Sequence, residues 1–309
     1  MKILVTGGAG FIGSHVVELL IGAGHDVAIV DDLSTGRRSN LNPKARFYQV
    51  DIRSPQMREV FEQERPEVVD HHAAQMDVRK SVEDPLFDAD VNINGSIKLA
   101  QLAMEFGTRK FIHISSGGAV YGEPVYLPCD EDHPVRPLCP YGASKYTFEM
   151  YLFMFKELYN LDYSVIRYPN VYGPRQDPNG EAGVVAIFIG QMLAGKQVTV
   201  NGTGEQVRDF VYVADCAKAN LMALEKGGGQ VFNLGAGIGT TINEIFDRLK
   251  GITDYPLEAK HGPGKAGETF RIYLTAARAS KELGWEPGVD LQEGLSKTVA
   301  YFREVEVKS

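Results

Sequence analysis

Apolar runs and amphipathic stretches alternate along the first half of the chain. Residues 3–6 form a short apolar run that ends in threonine, as in a buried parallel strand, and residues 11–20 carry apolar side chains at helical spacing. The same pattern predicts further strands at residues 27–30, 47–51, 67–71 and 111–115, and helices at residues 55–64 and 84–106. This alternation predicts a parallel sheet with helices on both faces.

The second half begins with a proline-punctuated loop at residues 124–140 and continues with shorter elements. The pattern predicts helices at residues 141–159, 185–193, 214–225, 242–249 and 291–302, and strands at 163–168, 198–200 and 210–213. We therefore predict an α/β fold, a doubly wound (Rossmann) parallel sheet with a smaller C-terminal α/β lobe. Residues 1–168, with segments returning from the second half, would form the first domain, and residues 169–309 mainly the lobe.

Composition and charge restrict the possible classes of function. Of the 309 residues, 44% are apolar and 23% charged, as in ordinary globular proteins. The net charge of −8 argues against nucleic-acid binding. No apolar run has the length of a membrane span and the N-terminus shows no signal-peptide pattern, so we expect a cytoplasmic protein. The three cysteines show no C-x-x-C spacing, which argues against a disulfide framework or a zinc site.

A glycine-rich turn joins the first predicted strand to the first helix. Gly8, Gly10 and Gly13 fit the pattern G-x-G-x-x-G, whereas Gly7, Gly10 and Gly13 fit a G-x-x-G-x-x-G variant. In both patterns the absent Cβ atoms allow a sharp turn, the approach of a pyrophosphate to backbone N–H groups, and close packing of the helix on the strand. The turn therefore predicts a dinucleotide-binding site.

Two acidic residues follow the second strand. Asp31 lies 18 residues beyond Gly13, where a carboxylate accepts hydrogen bonds from the adenosine ribose hydroxyls. Asp31 and Asp32 together would repel a 2′-phosphate, which favours NAD over NADP as the cofactor. Arg37 and Arg38 keep the NADP alternative open.

Tyr141 and Lys145 form a Tyr-x-x-x-Lys pair at the start of a predicted helix. Residues four apart share one helical face, so the Lys145 ammonium can approach the Tyr141 phenol. A tyrosine with a pKa near 10 is a poor base at neutral pH. We expect the ammonium and an oxidised nicotinamide to lower this pKa by about three units, or about 4 kcal/mol. Taken alone, the spacing is also compatible with an ordinary helix.

Together these motifs resemble those of the extended short-chain dehydrogenase/reductase family. The glycine turn is followed by Ser115-Ser116 at the end of a strand, by the Tyr141–Lys145 pair and by Arg167-Tyr168-Pro169-Asn170. Within the family, the chain looks most like the UDP-glucose 4-epimerases and their nucleotide-sugar-modifying relatives. Further matches, spread over essentially the whole chain, are Asp32-Leu33-Ser34-Thr35-Gly36, Asp51-Ile52, His71-His72-Ala73-Ala74, Asn92-Ile93-Asn94-Gly95, Val120-Tyr121-Gly122 and Val207-Arg208-Asp209-Phe210.

The resemblance implies a role for each matching residue. Tyr141, Lys145 and Ser116 would be catalytic. The implied cofactor-binding residues are Gly7, Gly10, Phe11, Ile12, Gly13, Asp31, Asp32, Ser34, Thr35, Gly36, Asp51, Ile52, Ala73, Ala74, Gln75, Asn92, Ser115, Tyr141, Lys145 and Tyr168. The implied substrate-binding residues are Ser116, Gly117, Tyr141, Asn170, Val184, Thr199, Asn201, Arg208, Lys265 and Glu268.

Two positions depart from the family's pattern. The family usually has a catalytic Ser or Thr three residues before the valine of Val-Tyr-Gly, where this chain has Gly117; Ser116 is the nearest hydroxyl that could substitute. A family arginine corresponds to Lys265, and a lysine pairs with phosphate as a point charge without the bidentate fork of arginine.

A cluster of histidines and acids at residues 70–77 also raises the question of a metal site. Adjacent residues of a strand point to opposite faces, so His71 and His72 could not readily bind one ion together. We interpret His71 as a packed, hydrogen-bonded histidine and expect no metal. Cys139 lies near Tyr141 but has no evident activating partner.

The resemblance implies a UDP-sugar 4-epimerase that converts UDP-glucose and UDP-galactose with bound NAD. Tyr141 would take the proton of the C4 hydroxyl while a hydride passes to the nicotinamide, and the 4-keto sugar would turn and receive the hydride on its other face. The alternatives are an epimerase for another sugar, a related decarboxylase or dehydratase, and a non-catalytic NAD-sensing protein. In the family, dehydratases typically carry Asp-Glu just before Val-Tyr-Gly, and decarboxylases commonly carry a Glu there. Here that stretch is Gly117-Gly118-Ala119 and contains no carboxylate, which argues against both reactions. The resemblance also implies a homodimer through the helices at 84–106 and 141–159.

Overall fold

A parallel sheet flanked by helices forms the centre of the structure, a computed structural model that describes residues 1–178, 183–264 and 269–308. The strands of the described chain are β1 (Lys2–Thr6), β2 (Asp26–Val30), β3 (Arg46–Tyr48), β4 (Val68–His71), β5 (Lys110–Ser116), β6 (Asp162–Tyr168), β7 (Asn170–Tyr172), β8 (Thr199–Asn201), β9 (Val207–Arg208), β10 (Phe210–Tyr212), β11 (Gln230–Asn233), β12 (Thr240–Thr241) and β13 (Lys260–Gly262). The helices are α1 (Phe11–Gly22), α2 (Met57–Glu64), α3 (Val78–Glu83), α4 (Pro85–Ala89), α5 (Ser96–Glu105), α6 (Gly117–Val120), α7 (Pro140–Tyr159), α8 (Val184–Leu193), α9 (Val213–Ala223), α10 (Ile242–Thr253), α11 (Ala277–Leu283) and α12 (Leu291–Lys308).

The central sheet has the strand order β3-β2-β1-β4-β5-β6-β11, and all its pairings are parallel. Val5 in β1 pairs with Ile29 on one side and Asp70 on the other. The chain winds outward from β1 in both directions, so the strand order reverses between β1 and β4, and ligands of such sheets bind at this point. The doubly wound sheet predicted from the sequence is confirmed.

Apolar side chains cover both faces of this sheet and fill a separate lobe. One face packs against α1, α9 and α11, and the other against α2, α5 and α7. A third cluster joins α8, α10 and α12 in the second half of the chain. Trp285 is fully buried, and its indole N–H donates to the backbone oxygen of Asp215 in α9 at 2.8 Å.

The pattern did not predict several short elements (α3, α6, α11, β7, β9, β12 and β13), and three further differences concern the central sheet and the cavity. The strand expected at 47–51 ends at Tyr48, and the chain then turns toward the cavity described below. The helix expected at 84–106 is divided into α4, a π-helical segment (Asp90–Gly95) and α5. The short strand β11 was not predicted; it extends the sheet beyond β6, so the second half of the chain contributes a strand to the central sheet. Within the described ranges, no helix has the length and apolarity needed to cross a membrane.

Candidate cofactor and catalytic site

A cavity of about 1000 Å³ lies at the carboxyl ends of the central strands. Its wall is built from the turn between β1 and α1, the loops that follow β2 and β4, the end of β5, and the first turns of α7. These segments are far apart in the sequence, and the sheet brings them together because parallel strands end at one edge.

The glycine turn forms one side of the cavity with little room to spare. Gly7 has a φ of +71°, and a Cβ atom there would lie 2.7 Å from the backbone nitrogen of Ala73. A Cβ atom on Gly13 would lie 2.9 Å from the carbonyl carbon of Gly7 and closer still to its oxygen. Gly8 instead faces the core, where its Cβ position is 2.8 Å from Ile29. The structure therefore favours the G-x-x-G-x-x-G pattern, with Gly7, Gly10 and Gly13 lining the cavity.

Helix α1 presents its N-terminus to the cavity. Gly10 is the N-cap residue, and its position carries no side-chain cap among the described residues, so the first N–H groups of the helix can receive an anion. Phe11 and Ile12 of this first turn line the cavity. This arrangement fits the pyrophosphate of a dinucleotide.

Asp31 lies beside this turn at the end of β2. Its carboxylate accepts hydrogen bonds from the backbone N–H groups of Ala9 at 3.0 Å and Leu33 at 2.9 Å. Burial raises the pKa of Asp31, and these two hydrogen bonds lower it. Each oxygen retains a second lone pair for a ligand hydroxyl. A Cβ atom on Gly36 would press on the same carboxylate, so the glycine keeps this side open.

Tyr141, Lys145 and Ser116 meet at the other end of the cavity. All three line it, and the Ser116 hydroxyl interacts with the Tyr141 phenol and lowers its pKa. The Lys145 ammonium donates to the backbone oxygen of Ile114 at 2.9 Å. Burial lowers the pKa of Lys145 to about 8, against the opposing charges of Asp88 and Glu149.

Two surroundings of Tyr141 act on its pKa in opposite directions. Burial raises it to about 12, and this effect outweighs the Ser116 hydroxyl. Desolvation of the phenolate is the reason, because a charge in an apolar pocket loses its hydration.

Asn92 lies behind the cavity wall. Its side chain accepts from the backbone N–H of Gln75 at 2.9 Å and donates to the backbone oxygen of the same residue at 2.9 Å. It also contacts the Ser144 hydroxyl in α7 at 3.2 Å. Asn92 thus holds the loop after β4 against the helix that carries Tyr141, and it lies in the π-helical segment.

A buried polar network joins α7 to the ends of β5 and β6. The Ser115 hydroxyl donates to Glu149 at 2.5 Å, and Arg167 donates to both oxygens of Glu149 at 3.0 and 2.6 Å. Arg167 also donates to the Tyr121 hydroxyl at 2.7 Å. Since the acid and the base are nearly fully buried, their charges largely neutralise each other.

The cavity gathers most of the implied cofactor residues. Those that line it are Gly7, Gly10, Phe11, Ile12, Gly13, Asp31, Asp32, Ser34, Thr35, Gly36, Asp51, Ile52, Ala73, Ala74, Gln75, Ser115, Tyr141, Lys145 and Tyr168. The implied substrate residues away from its wall are Gly117, Asn170, Val184, Thr199, Asn201 and Arg208. Gly117 packs against Leu274, whereas the Asn170 amide lies 3.6 Å from the Cβ position of Gly118. Lys265 and Glu268 lie outside the described residues.

Sequence reasoning missed the loop that follows β7. Arg175, Gln176 and Asp177 line the cavity, and the guanidinium of Arg37 lies 2.6 Å from the Asp177 carboxylate. This ion pair joins the loop after β2 to the loop after β7. The signal was the segment Gly173-Pro174-Arg175, which lies two residues after the Arg167–Asn170 motif and holds a basic residue in a turn.

His71 has the structural role predicted for it. Its two ring nitrogens lie 2.7 Å from the Thr6 hydroxyl and 2.9 Å from the Ser96 hydroxyl, inside the core. Burial holds its pKa well below the ordinary value. In the part of the chain that the structure describes, no three His, Cys, Asp or Glu side chains are grouped to bind a metal.

Comparison with known proteins agrees with this geometry. Residues 3–235 match the NAD dependent epimerase/dehydratase family. The chain is 49% identical over 301 residues to a putative UDP-glucose 4-epimerase of Methanocaldococcus jannaschii, covering 97% of this chain and 98% of that protein. Among solved structures, it is similar to UDP-glucose 4-epimerase from Thermotoga maritima with UDP-glucose (TM-score 0.98, 51% identity, 99% of this chain and 100% of that one). It is also similar to the Thermus thermophilus UDP-glucose 4-epimerase in complex with NAD (TM-score 0.94, 42% identity, 98% and 99% covered).

Proposed function

The chain belongs to the NAD-dependent epimerase/dehydratase family, and we propose that it is a UDP-sugar 4-epimerase that interconverts UDP-glucose and UDP-galactose with NAD as its cofactor. One observation carries the proposal. The Tyr141–Lys145–Ser116 group and the glycine turn line the same cavity, so a dinucleotide held by the turn would share that cavity with the phenol.

The residues of the cavity fit NAD. The glycine turn leaves no space for a Cβ atom, the first turn of α1 offers N–H groups to a pyrophosphate, and Asp31 offers a carboxylate to ribose hydroxyls. When bound, NAD supplies a reversible hydride acceptor beside the sugar.

The chain's own residues would manage the proton and the position of the sugar. Tyr141 would take the proton from the C4 hydroxyl and return it after the sugar has turned. Because burial holds the Tyr141 pKa at about 12, the ionised phenol needs nearby positive charge, which Lys145 and an oxidised cofactor would provide. The Ser116 hydroxyl would hydrogen-bond the same reacting oxygen. Gly118 is half-buried with no close contact at its Cβ position, and the absence of a side chain there would leave space for the 4-keto sugar to turn.

Product analysis by NMR tests the proposal. Purified protein with NAD should convert UDP-glucose to UDP-galactose, and the reverse, without net formation of NADH. UDP-glucuronate should release no carbon dioxide, and dTDP-glucose should yield no 4-keto-6-deoxy product, since residues 117–119 carry no carboxylate. Either product at a rate comparable to epimerisation would overturn the assignment.

A matched pair of tyrosine variants in α7 tests the role of Tyr141. Tyr141→Phe should lower kcat by at least about 10²-fold, the lower end of general acid–base contributions, and leave NAD binding intact. Tyr151→Phe removes a hydroxyl from the same helix outside the cavity and should keep kcat within about twofold of the wild type. Equal activity of the two variants would contradict the proposed base.

We also propose that the protein forms a homodimer through the helical stretch at residues 84–106 and α7. The outer face of α7 exposes apolar side chains: Met150, Phe153, Met154 and Leu158. Exposed contiguous apolar surface commonly marks an interface. Leu158→Glu should give a monomer by light scattering, whereas Ile238→Glu, at a similarly exposed apolar position in the lobe, should not change the mass. A wild-type monomer at micromolar concentration would refute the dimer.

A further inference from the structure

Asp88 is a buried acid next to the catalytic helix that the proposed mechanism does not use. It lies in α4, which packs against α7, and it is 1% exposed. One carboxylate oxygen accepts from the Gln75 amide at 2.9 Å and the Asn92 amide at 3.1 Å. The other oxygen is buried and has no hydrogen-bond partner among the described residues.

The hydrogen bonds of Asp88 connect it to the cavity wall. Gln75 lines the cavity, and its side chain also bridges the backbone of Asp77, so the Asp88 oxygen helps to fix the loop that follows β4. Both groups that donate to Asp88 are neutral amides. A buried carboxylate with neutral partners is costly unless a positive charge lies nearby.

Lys145 is a buried positive charge close to Asp88, because the Asn92 amide contacts both the Asp88 carboxylate at 3.1 Å and the hydroxyl of Ser144, the residue before Lys145, at 3.2 Å. Of the charges that favour the ammonium form of Lys145, Asp88 has the largest effect and Glu149 the next. Glu149 lies on the same helix as Lys145, and Arg167 of β6 binds both its oxygens, so most of its charge is already neutralised.

The remaining ionisable groups around Lys145 do not replace this charge. His71 in β4 and His113 in β5 are fully buried, and burial lowers the pKa of both well below the ordinary value, so they are neutral. Burial raises the pKa of Tyr141, one turn away on α7, to about 12, so its phenol is not a permanent negative charge that could take the place of Asp88.

We propose that Asp88 is a positioning residue for the reaction: its buried carboxylate holds Gln75 and Asn92 in place and keeps Lys145 in its ammonium form. The inference rests on the proposed function in one respect, since it assigns Asp88 to the same site. It goes further by predicting that Asp88 sets the upper pH limit of activity. Neutralising Asp88 removes the charge that opposes the desolvation of Lys145, so the ammonium should lose its proton at lower pH.

Direct titration of Lys145 tests this proposal. Protein labelled with ¹³C at lysine Cε and saturated with NAD would be followed by NMR from pH 6 to pH 11, with Lys145→Met identifying the signal. Asp88→Asn keeps an acceptor oxygen for the two amides and removes only the charge. It should lower the Lys145 midpoint by at least about half a pH unit, a roughly threefold loss of proton affinity. The alkaline limb of the kcat profile should move by the same amount.

Two controls separate charge from structure. Glu83→Gln removes an exposed negative charge at the end of α3 and should leave the midpoint unchanged. Asp88→Glu keeps the charge and should stay near the wild-type midpoint. If Asp88→Asn does not fold, Asp88→Gln compared with Asp88→Glu makes the same charge comparison with a longer side chain.

The two readouts also distinguish this proposal from the proposed function. A midpoint that is equal in the charged and neutral variants overturns the role of Asp88, even if the enzyme epimerises UDP-glucose normally. A shifted midpoint in a protein that turns over no UDP-sugar supports the effect of Asp88 on Lys145 and refutes the epimerase assignment alone.

Discussion

Two glycines in α1 allow the same substitution to be tested with opposite expected results. Gly13 faces the turn that forms the cavity wall, and Gly22 ends the helix with nothing within 4 Å of its Cβ position. We predict that Gly13→Ala weakens NAD binding and destabilises the fold, and that Gly22→Ala leaves binding unchanged and stabilises the helix.

The magnitude follows from the local geometry. The new Cβ atom at residue 13 would lie 2.9 Å from the carbonyl carbon of Gly7, and ordinary contacts begin at 3.4 Å, so the turn must open by at least 0.5 Å. Gly7 cannot yield easily, because its other side faces the backbone of Ala73. Overpacking of this kind typically costs about 1–3 kcal/mol. The displaced N–H groups of α1 should weaken NAD binding at least about tenfold, or about 1.4 kcal/mol.

Calorimetric titration with NAD and thermal unfolding measure the two effects. Gly22→Ala should raise the unfolding midpoint by about 1–3 °C, from the 0.5–1 kcal/mol gained when alanine replaces a helical glycine. Gly13→Ala should lower the midpoint and raise the Kd. If Gly13→Ala binds NAD with the wild-type Kd and unfolds like Gly22→Ala, the contact between residues 7 and 13 does not exclude a Cβ atom, and this explanation of the glycine pattern is refuted.

Three further predictions concern the acids and bases around the cavity. Wild-type protein should bind NAD at least about tenfold more tightly than NADP by calorimetry. Asp31→Ala should bring the two Kd values closer, because it removes the acceptor for the ribose hydroxyls of NAD and the charge that repels the 2′-phosphate of NADP. The Arg37–Asp177 ion pair is half exposed and worth at most about 1 kcal/mol, so Arg37→Gln should speed NAD dissociation by no more than about fivefold in stopped-flow experiments and reduce its salt dependence. Arg167→Met should destabilise the fold by about 3–5 kcal/mol in urea unfolding because it leaves the buried Glu149 unpaired, and adding Glu149→Leu should restore much of the loss.

The sheet and its ligand edge were predictable because local patterns specify them. The apolar run of β1, the glycines after it and the helical spacing of α1 all agree, and the same holds for β2, β5 and α7. The short strand β11 carries no comparable signal. Its four residues become a strand because the open edge of β6 offers backbone hydrogen bonds and α11 packs against it.

The composition of the site could be anticipated from sequence, but its energetics could not. The sequence placed Tyr141 and Lys145 on one helical face, and two glycine patterns remained possible until packing against Ala73 and Ile29 distinguished Gly7 from Gly8. Spacing says nothing about burial. Desolvation raises the Tyr141 pKa to about 12. The sequence does not distinguish Asp88 from an exposed helical acid, although its side chain is buried in the structure.

Tertiary structure decided these points because they depend on groups distant in the chain. The backbone of residue 73 limits a turn at residue 7, and an amide at residue 75 holds a carboxylate at residue 88. The sequence by itself determined which elements form and which chemical groups the strand ends carry. Only the fold determined which groups lose their water and which charges remain to compensate them, because desolvation and Coulomb interactions depend on distance in space rather than along the chain.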